Sequence, residues 1–143
     1  MSSIFVVESF GVAADADEIN LREAAWEFAL DQRAFGPRRL LVAFGARDGR
    51  MVGLAHARRT NRPEFALAAC IDHAGRGTAL ALAFCDERVV EGPPAPGLSE
   101  RWALHRRIAQ DFGVVLIDWF DCDDLCIRST KLALHPDREW WDM

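Results

Sequence analysis

Residues 113–129 constrain the fold of this chain more than any other segment. They read GVVLIDWFDCDDLCIRS. The continuous apolar run at 114–117 contains β-branched residues, and it predicts a strand buried on both faces of a sheet. Asp118 interrupts this run, Asp121 and two further aspartates predict a turn, and residues 125–127 predict a returning strand. The segment therefore predicts a strand and hairpin at the centre of an α/β domain.

The segments before residue 113 alternate between strand patterns and helix patterns. Short apolar runs predict strands, and apolar residues at helical spacing predict helices. The predicted strands are residues 4–7, 40–44, 51–57 and 78–85. The predicted helices are residues 15–36, 61–73 and 99–112, the last with Ser99 as its N-cap. The order β-α-β-β-α-β-α-β-β predicts an α/β (α+β) fold, a mixed central β-sheet flanked by helices.

Length and composition limit the class of protein. A chain of 143 residues is expected to form one domain, residues 1–143. Its net charge of −5 argues against direct nucleic-acid binding. No apolar run reaches the ~20 residues of a membrane helix, and the start MSSIFVVESFG lacks the basic region of a signal peptide. We therefore expect a cytoplasmic protein that does not bind membranes and keeps its four cysteines reduced.

Four residues of the segment 113–129 also follow a known pattern. Gly113, Asp118, Asp124 and Ser129 align without gaps with G-I-x-L-L-D-H-x-I-V-G-D-G-x-x-x-S. This pattern is found at the end of RadC-type domains of the JAMM (JAB/MPN-type) metalloprotease superfamily, which the chain resembles. Upstream, LLVAFGARDGRMVGLAHARRT, RPEFALAAC and TALALAFC are similar to that family's hairpin, helix start and strand before the metal motif.

The resemblance covers residues 38–130 and leaves 131–143 as a C-terminal tail. It implies a JAMM/cytidine-deaminase-like fold. In that family two histidines and an aspartate hold a zinc ion in the pattern H-x-H-x7-S-x2-D, and a glutamate on an earlier strand is the general base. The zinc activates a water molecule for amide hydrolysis.

This chain departs from the family at each metal ligand. Cys85 and Glu87 stand at the two histidine positions when the strand end is aligned. Strict spacing back from Ser99 places Val89 and Glu91 there instead. In either alignment no histidine remains at these positions.

The other positions of the motif are altered as well. Ser99 matches the family's serine, but Trp102 replaces the aspartate ligand. The position of the general base falls near Ala55 or His56, and Trp119 stands where the family carries a histidine after Asp118. The degenerate site would thus comprise six residues, namely His56, Cys85, Glu87, Ser99, Trp102 and Asp118.

The resemblance therefore implies a non-catalytic RadC/JAMM-like scaffold, a pseudoenzyme that binds a protein partner or forms a homodimer. No metal or other cofactor is expected in it. The alternative is a metal-dependent hydrolase, isopeptidase-like or peptidase-like, with a zinc site rebuilt from His56, Cys85 and Glu87. A second alternative is a DNA-repair-associated accessory protein, suggested by the family label alone.

Two further features bear on binding. Trp140 and Trp141 lie next to the C-terminus, and such an aromatic pair either packs on its own domain or forms an interface. A zinc ribbon would need Cys122 and Cys126 together with the C-x2-H pair that starts at Cys70. We favour two thiols in a hairpin over such a ribbon.

Overall fold

The structure, a computed structural model, describes residues 5–8, 40–48, 51–57, 62–86, 96–122 and 127–138. Six strands in these ranges form one mixed sheet: β1 (Phe5–Glu8), β2 (Leu40–Gly45), β3 (Met51–Ala57), β4 (Leu80–Asp86), β5 (Val115–Cys122) and β6 (Ile127–Ser129). The helices in these ranges are α1 (Pro63–Cys70), which continues as a π-helical turn (Ile71–Gly75), α2 (Leu98–Asp111) and α3 (Thr130–Leu134). A mixed sheet with helices is confirmed.

The strand order across the sheet is β1-β3-β2-β4-β5-β6. Neighbouring strands run antiparallel except β4 and β5, which are parallel. The segment between this parallel pair contains α2, as a parallel connection requires a crossover. None of the helices in the described ranges is long and apolar enough to cross a membrane.

The inner strand β2 is buried on both faces. One face contributes Leu40, Val42 and Phe44 of β2 to a cluster that also contains residues of α1 and α2. The opposite face contributes Leu41 and Ala43 to a second cluster. Successive residues of a strand point to opposite faces, so adjacent residues of β2 belong to different clusters. We call the first the helix-side cluster and the second the far-side cluster.

Strand β5 differs from its prediction. It runs unbroken through Asp118 and Asp121, so neither aspartate ends the strand or forms a turn. Ala81 pairs with Leu116 and Leu82 pairs with Asp118, so Ile117 is an extra residue in a β-bulge. The strand tolerates the two carboxylates because both accept hydrogen bonds inside the protein.

The start of β5 is also more open than predicted. Val115 is 62% exposed, whereas Leu116 is 4% exposed, so the strand is not buried on both faces along its whole length. The returning strand β6 spans Ile127–Ser129 rather than residues 125–127.

The helices differ from the sequence prediction as well. The N-cap of α2 is Gly97 and not Ser99. Gly97 has a φ of +85°, a left-handed conformation that glycine adopts without strain from a Cβ atom. Helix α3 was not predicted, and the predicted helix at 15–36 lies outside the described residues.

Candidate functional site

The carboxyl ends of the parallel strands β4 and β5 lie side by side, and open α/β sheets often bind ligands at such ends. Cys85 of β4 pairs with Asp121 of β5 at this edge. Arg101 of α2 donates a hydrogen bond from Nη2 to Oδ2 of Asp121 at 2.8 Å. The indole Nε1 of Trp119 donates to Oδ1 of the same carboxylate at 3.1 Å. Asp121 therefore links helix α2 to its own strand.

His105 follows Arg101 by about one turn in α2. Its ring stacks on the Trp119 indole, with 3.9 Å between ring centroids and 18° between ring planes. The residue is 1% exposed, and within the described residues its Nδ1 atom has no hydrogen-bond partner. Burial, and secondarily the positive charge of Arg101, lower the pKa of His105 from 6.5 to about 4. The imidazole is therefore neutral at pH 7.

A second polar group surrounds Asp118 where the chain passes from β6 into α3. The Ser129 hydroxyl donates a hydrogen bond to Oδ2 of Asp118. Oδ1 accepts from the backbone N–H groups of Trp119 at 2.7 Å and Lys131 at 3.2 Å. The Ser129 hydroxyl oxygen in turn accepts from the Leu132 N–H at 3.1 Å, which caps α3. Asp118 and Ser129 thus form the N-terminal cap of α3.

Ser129→Ala should lower the free energy of unfolding by roughly 2–3 kcal/mol. The substitution removes the helix cap, worth about 1 kcal/mol, and takes one donor from a buried carboxylate, worth about 1–2 kcal/mol. Urea denaturation measures the change. Ser99→Ala is the matched control, because Ser99 is exposed in the first turn of α2 and its loss should change stability by less than about 0.5 kcal/mol. Equal stability of both variants would contradict this role of Ser129.

The structure does not bring His56 and Cys85 together. His56 pairs with Leu41, which belongs to the far-side cluster. Cys85 pairs with Leu40, and both belong to the helix-side cluster. Paired residues project from the same face of a sheet, so the imidazole and the thiol lie on opposite faces. The third residue of the predicted zinc set, Glu87, lies outside the described residues.

The remaining residues of the predicted degenerate site have separate environments. Ser99 is exposed. Trp102 is 9% exposed and belongs to the helix-side cluster, with the Arg106 guanidinium 5.7 Å from its ring centroid. Asp118 is buried in the cap of α3. The predicted interface residues Trp140 and Trp141 lie outside the described residues.

The cysteines do not form a ribbon within the described ranges. Cys70 is buried in the helix-side cluster, and burial raises the pKa of its thiol to about 12. His73, the other half of the C-x2-H pair, is exposed. Cys122 is buried in the far-side cluster, and Cys126 lies outside the described residues. No three His, Cys, Asp or Glu residues of the described part are placed to hold a metal ion.

Sequence reasoning missed the group formed by Arg101, His105 and Asp121. One signal was present, because Arg101 and His105 are four residues apart and therefore share a helix face. The sequence predicts a turn at Asp121, so it gives no indication of the contact with α2. No protein-family model, curated protein sequence or solved structure matches the chain.

Proposed function

We propose that this chain is a non-catalytic RadC/JAMM-like scaffold that acts by binding a protein partner or a second copy of itself. One observation carries this proposal. The buried carboxylates of β5 are engaged in stabilising the fold: Asp121 holds Arg101 and Trp119, and Asp118 caps α3. Buried carboxylates with these hydrogen bonds are typical of structural groups.

The residue at the family's aspartate position supports the same proposal. Trp102 offers an indole ring there, which has no acceptor for a metal ion. Its ring is part of the apolar packing between α2 and the sheet. The substitution therefore adds to the apolar core and takes a carboxylate away from the edge at which a metal would be expected.

The hydrolase alternative has less support. A zinc site needs its ligands within about 2.0–2.3 Å of one ion, and His56 and Cys85 project from opposite faces of the sheet. A rebuilt site would have to use a different set of residues. The net charge of −5 gives no support to a DNA-repair accessory role through direct contact with DNA.

Elemental analysis of the full chain, purified without chelator, tests the non-catalytic part of the proposal. We expect much less than one zinc per chain, and no gain after dialysis against zinc followed by removal of the unbound metal. One zinc per chain would overturn the proposal. In that case single alanine substitutions of the four histidines and four cysteines, each compared with the parent chain, would identify the ligands.

Analytical ultracentrifugation tests the binding part in its self-associating form. The full chain and a chain that lacks residues 138–143 are compared over a range of concentrations. If the tail carries the contact, we expect a dimer for the full chain and a monomer with the same melting temperature for the truncated chain. A monomeric full chain would contradict self-association, and a lower melting temperature of the truncated chain would assign the tail to its own domain.

A further inference from the structure

The proposed function makes no use of the buried contact between α2 and β5. His105 is its centre, stacked against Trp119 and almost fully removed from solvent. A neutral imidazole is tolerated in such a place more readily than a charged one, because a buried charge needs a partner.

The surroundings of His105 do not provide that partner. Its Nδ1 atom has no acceptor within the described residues, so an added proton there would remain unsatisfied. The Asp121 carboxylate, which accepts from the Trp119 indole, is also paired with Arg101. The charge that acts on His105 is the positive charge of Arg101, and it opposes protonation.

Among the charged and titratable residues on α2 and on the described elements packed against it, Arg101 is the one whose charge shifts the pKa of His105. Helix α1 carries Glu64 and Cys70, strand β5 carries Asp118 and Asp121, and helix α3 carries Lys131. Helix α2 itself carries Glu100, Arg101, Arg106, Arg107 and Asp111. Cys70 is a neutral thiol at pH 7, and Asp118 is engaged in the cap of α3.

We propose that the contact between α2 and β5 is an acid-sensitive latch, in which protonation of His105 separates the helix from Trp119 and exposes the helix-side face of β5. The separation is local, since the pairing of β2 with β3 and β4 involves apolar residues of both clusters and does not include His105. This latch does not depend on the proposed function.

The direction of the pH dependence follows from linkage. His105 has a pKa of about 4 in the closed form and 6.5 when exposed to water, so the open form binds the proton more tightly. The closed form is therefore fully favoured above pH 6.5, and it loses stability as the pH falls from 6.5 towards 4. With these two pKa values, the equilibrium constant for opening rises about twentyfold when the pH falls from 7 to 5.

Hydrogen exchange followed by mass spectrometry tests the latch, with rates corrected for the intrinsic effect of pH. We expect the α2 amides of the full chain to lose about twentyfold in protection between pH 7 and pH 5, while β2 and β4 keep theirs. His105→Phe retains an aromatic ring that can stack but cannot titrate, and it should abolish the change. His105→Leu provides the same comparison if the larger ring does not fit.

Three results would overturn the latch. In the first, protection of α2 is equal at both pH values. In the second, all strands lose protection together with α2, which indicates global acid unfolding. In the third, the non-titrating variants keep the pH dependence of the parent chain.

Discussion

Leu116→Asp is expected to unfold the domain. Leu116 is 4% exposed and lies in the helix-side cluster on β5, which is paired with β4 on one side and β6 on the other. The new carboxylate would lie among the apolar side chains of that cluster, and burying an uncompensated charge costs at least several kcal/mol. A domain of this size has a total stability of only about 5–15 kcal/mol, so the folded population should fall sharply. Circular dichroism during thermal denaturation measures the effect.

The adjacent residue provides a matched control. Val115 is on the same strand and is 62% exposed, so Val115→Asp places the same carboxylate in water. We expect it to change stability by about 0.5 kcal/mol or less. A cooperative transition at the parent temperature for Leu116→Asp would contradict the buried position of Leu116. A similar loss in both variants would mean that any acidic residue at the start of β5 is harmful, whatever its burial.

Gly75→Ala should also destabilise the domain. Gly75 ends the π-helical turn after α1 and lies against the ring of Phe44, which is completely buried. A Cβ atom at Gly75 would be 2.5 Å from Cε1 of that ring, too close for any real contact. Either the ring or the turn must move, and overpacking of this kind typically costs about 1–3 kcal/mol. Urea denaturation gives the change in the free energy of unfolding.

Two comparisons separate overpacking from a general effect of replacing glycine. Gly53→Ala is the control, because its new Cβ atom would meet nothing closer than the Ala74 carbonyl oxygen at 3.8 Å, an ordinary contact. The second comparison places Gly75→Ala in a Phe44→Leu background, where the smaller side chain leaves room. We expect the cost of the alanine to shrink in that background, as a double-mutant cycle would detect. An unchanged cost would rule out the Phe44 contact as its cause.

The candidate site was less predictable than the fold. Alignment with a family motif singled out Asp118 and Ser129, and the structure does bring them into contact. The motif alone did not indicate that the pair caps α3, because that role depends on the backbone of residues 130–132. His105 was not identified as buried, since its position depends on how α2 packs against Trp119.

The relative placement of His56 and Cys85, two candidates for a rebuilt zinc site, was unpredictable for a related reason. His56 and Cys85 both lie near strand ends in the sequence, and nothing local distinguishes their faces. The pairing register with β2 decides from which face of the sheet each side chain projects, because a shift of one residue moves a side chain to the other face. Register across three strands is a property of the assembled sheet.

The sequence by itself determined that this chain forms a mixed sheet with helices. Runs such as residues 40–44 and 78–85 are apolar because strands covered on both faces contact the core with every side chain. Only the tertiary structure decided whether polar residues could remain inside those elements. Asp118 and Asp121 remain inside β5 because Ser129 and Arg101, 11 and 20 residues away in the chain, supply their hydrogen bonds. Local patterns cannot report such partners, since the energy that keeps a carboxylate in a strand comes from donors that folding brings to it.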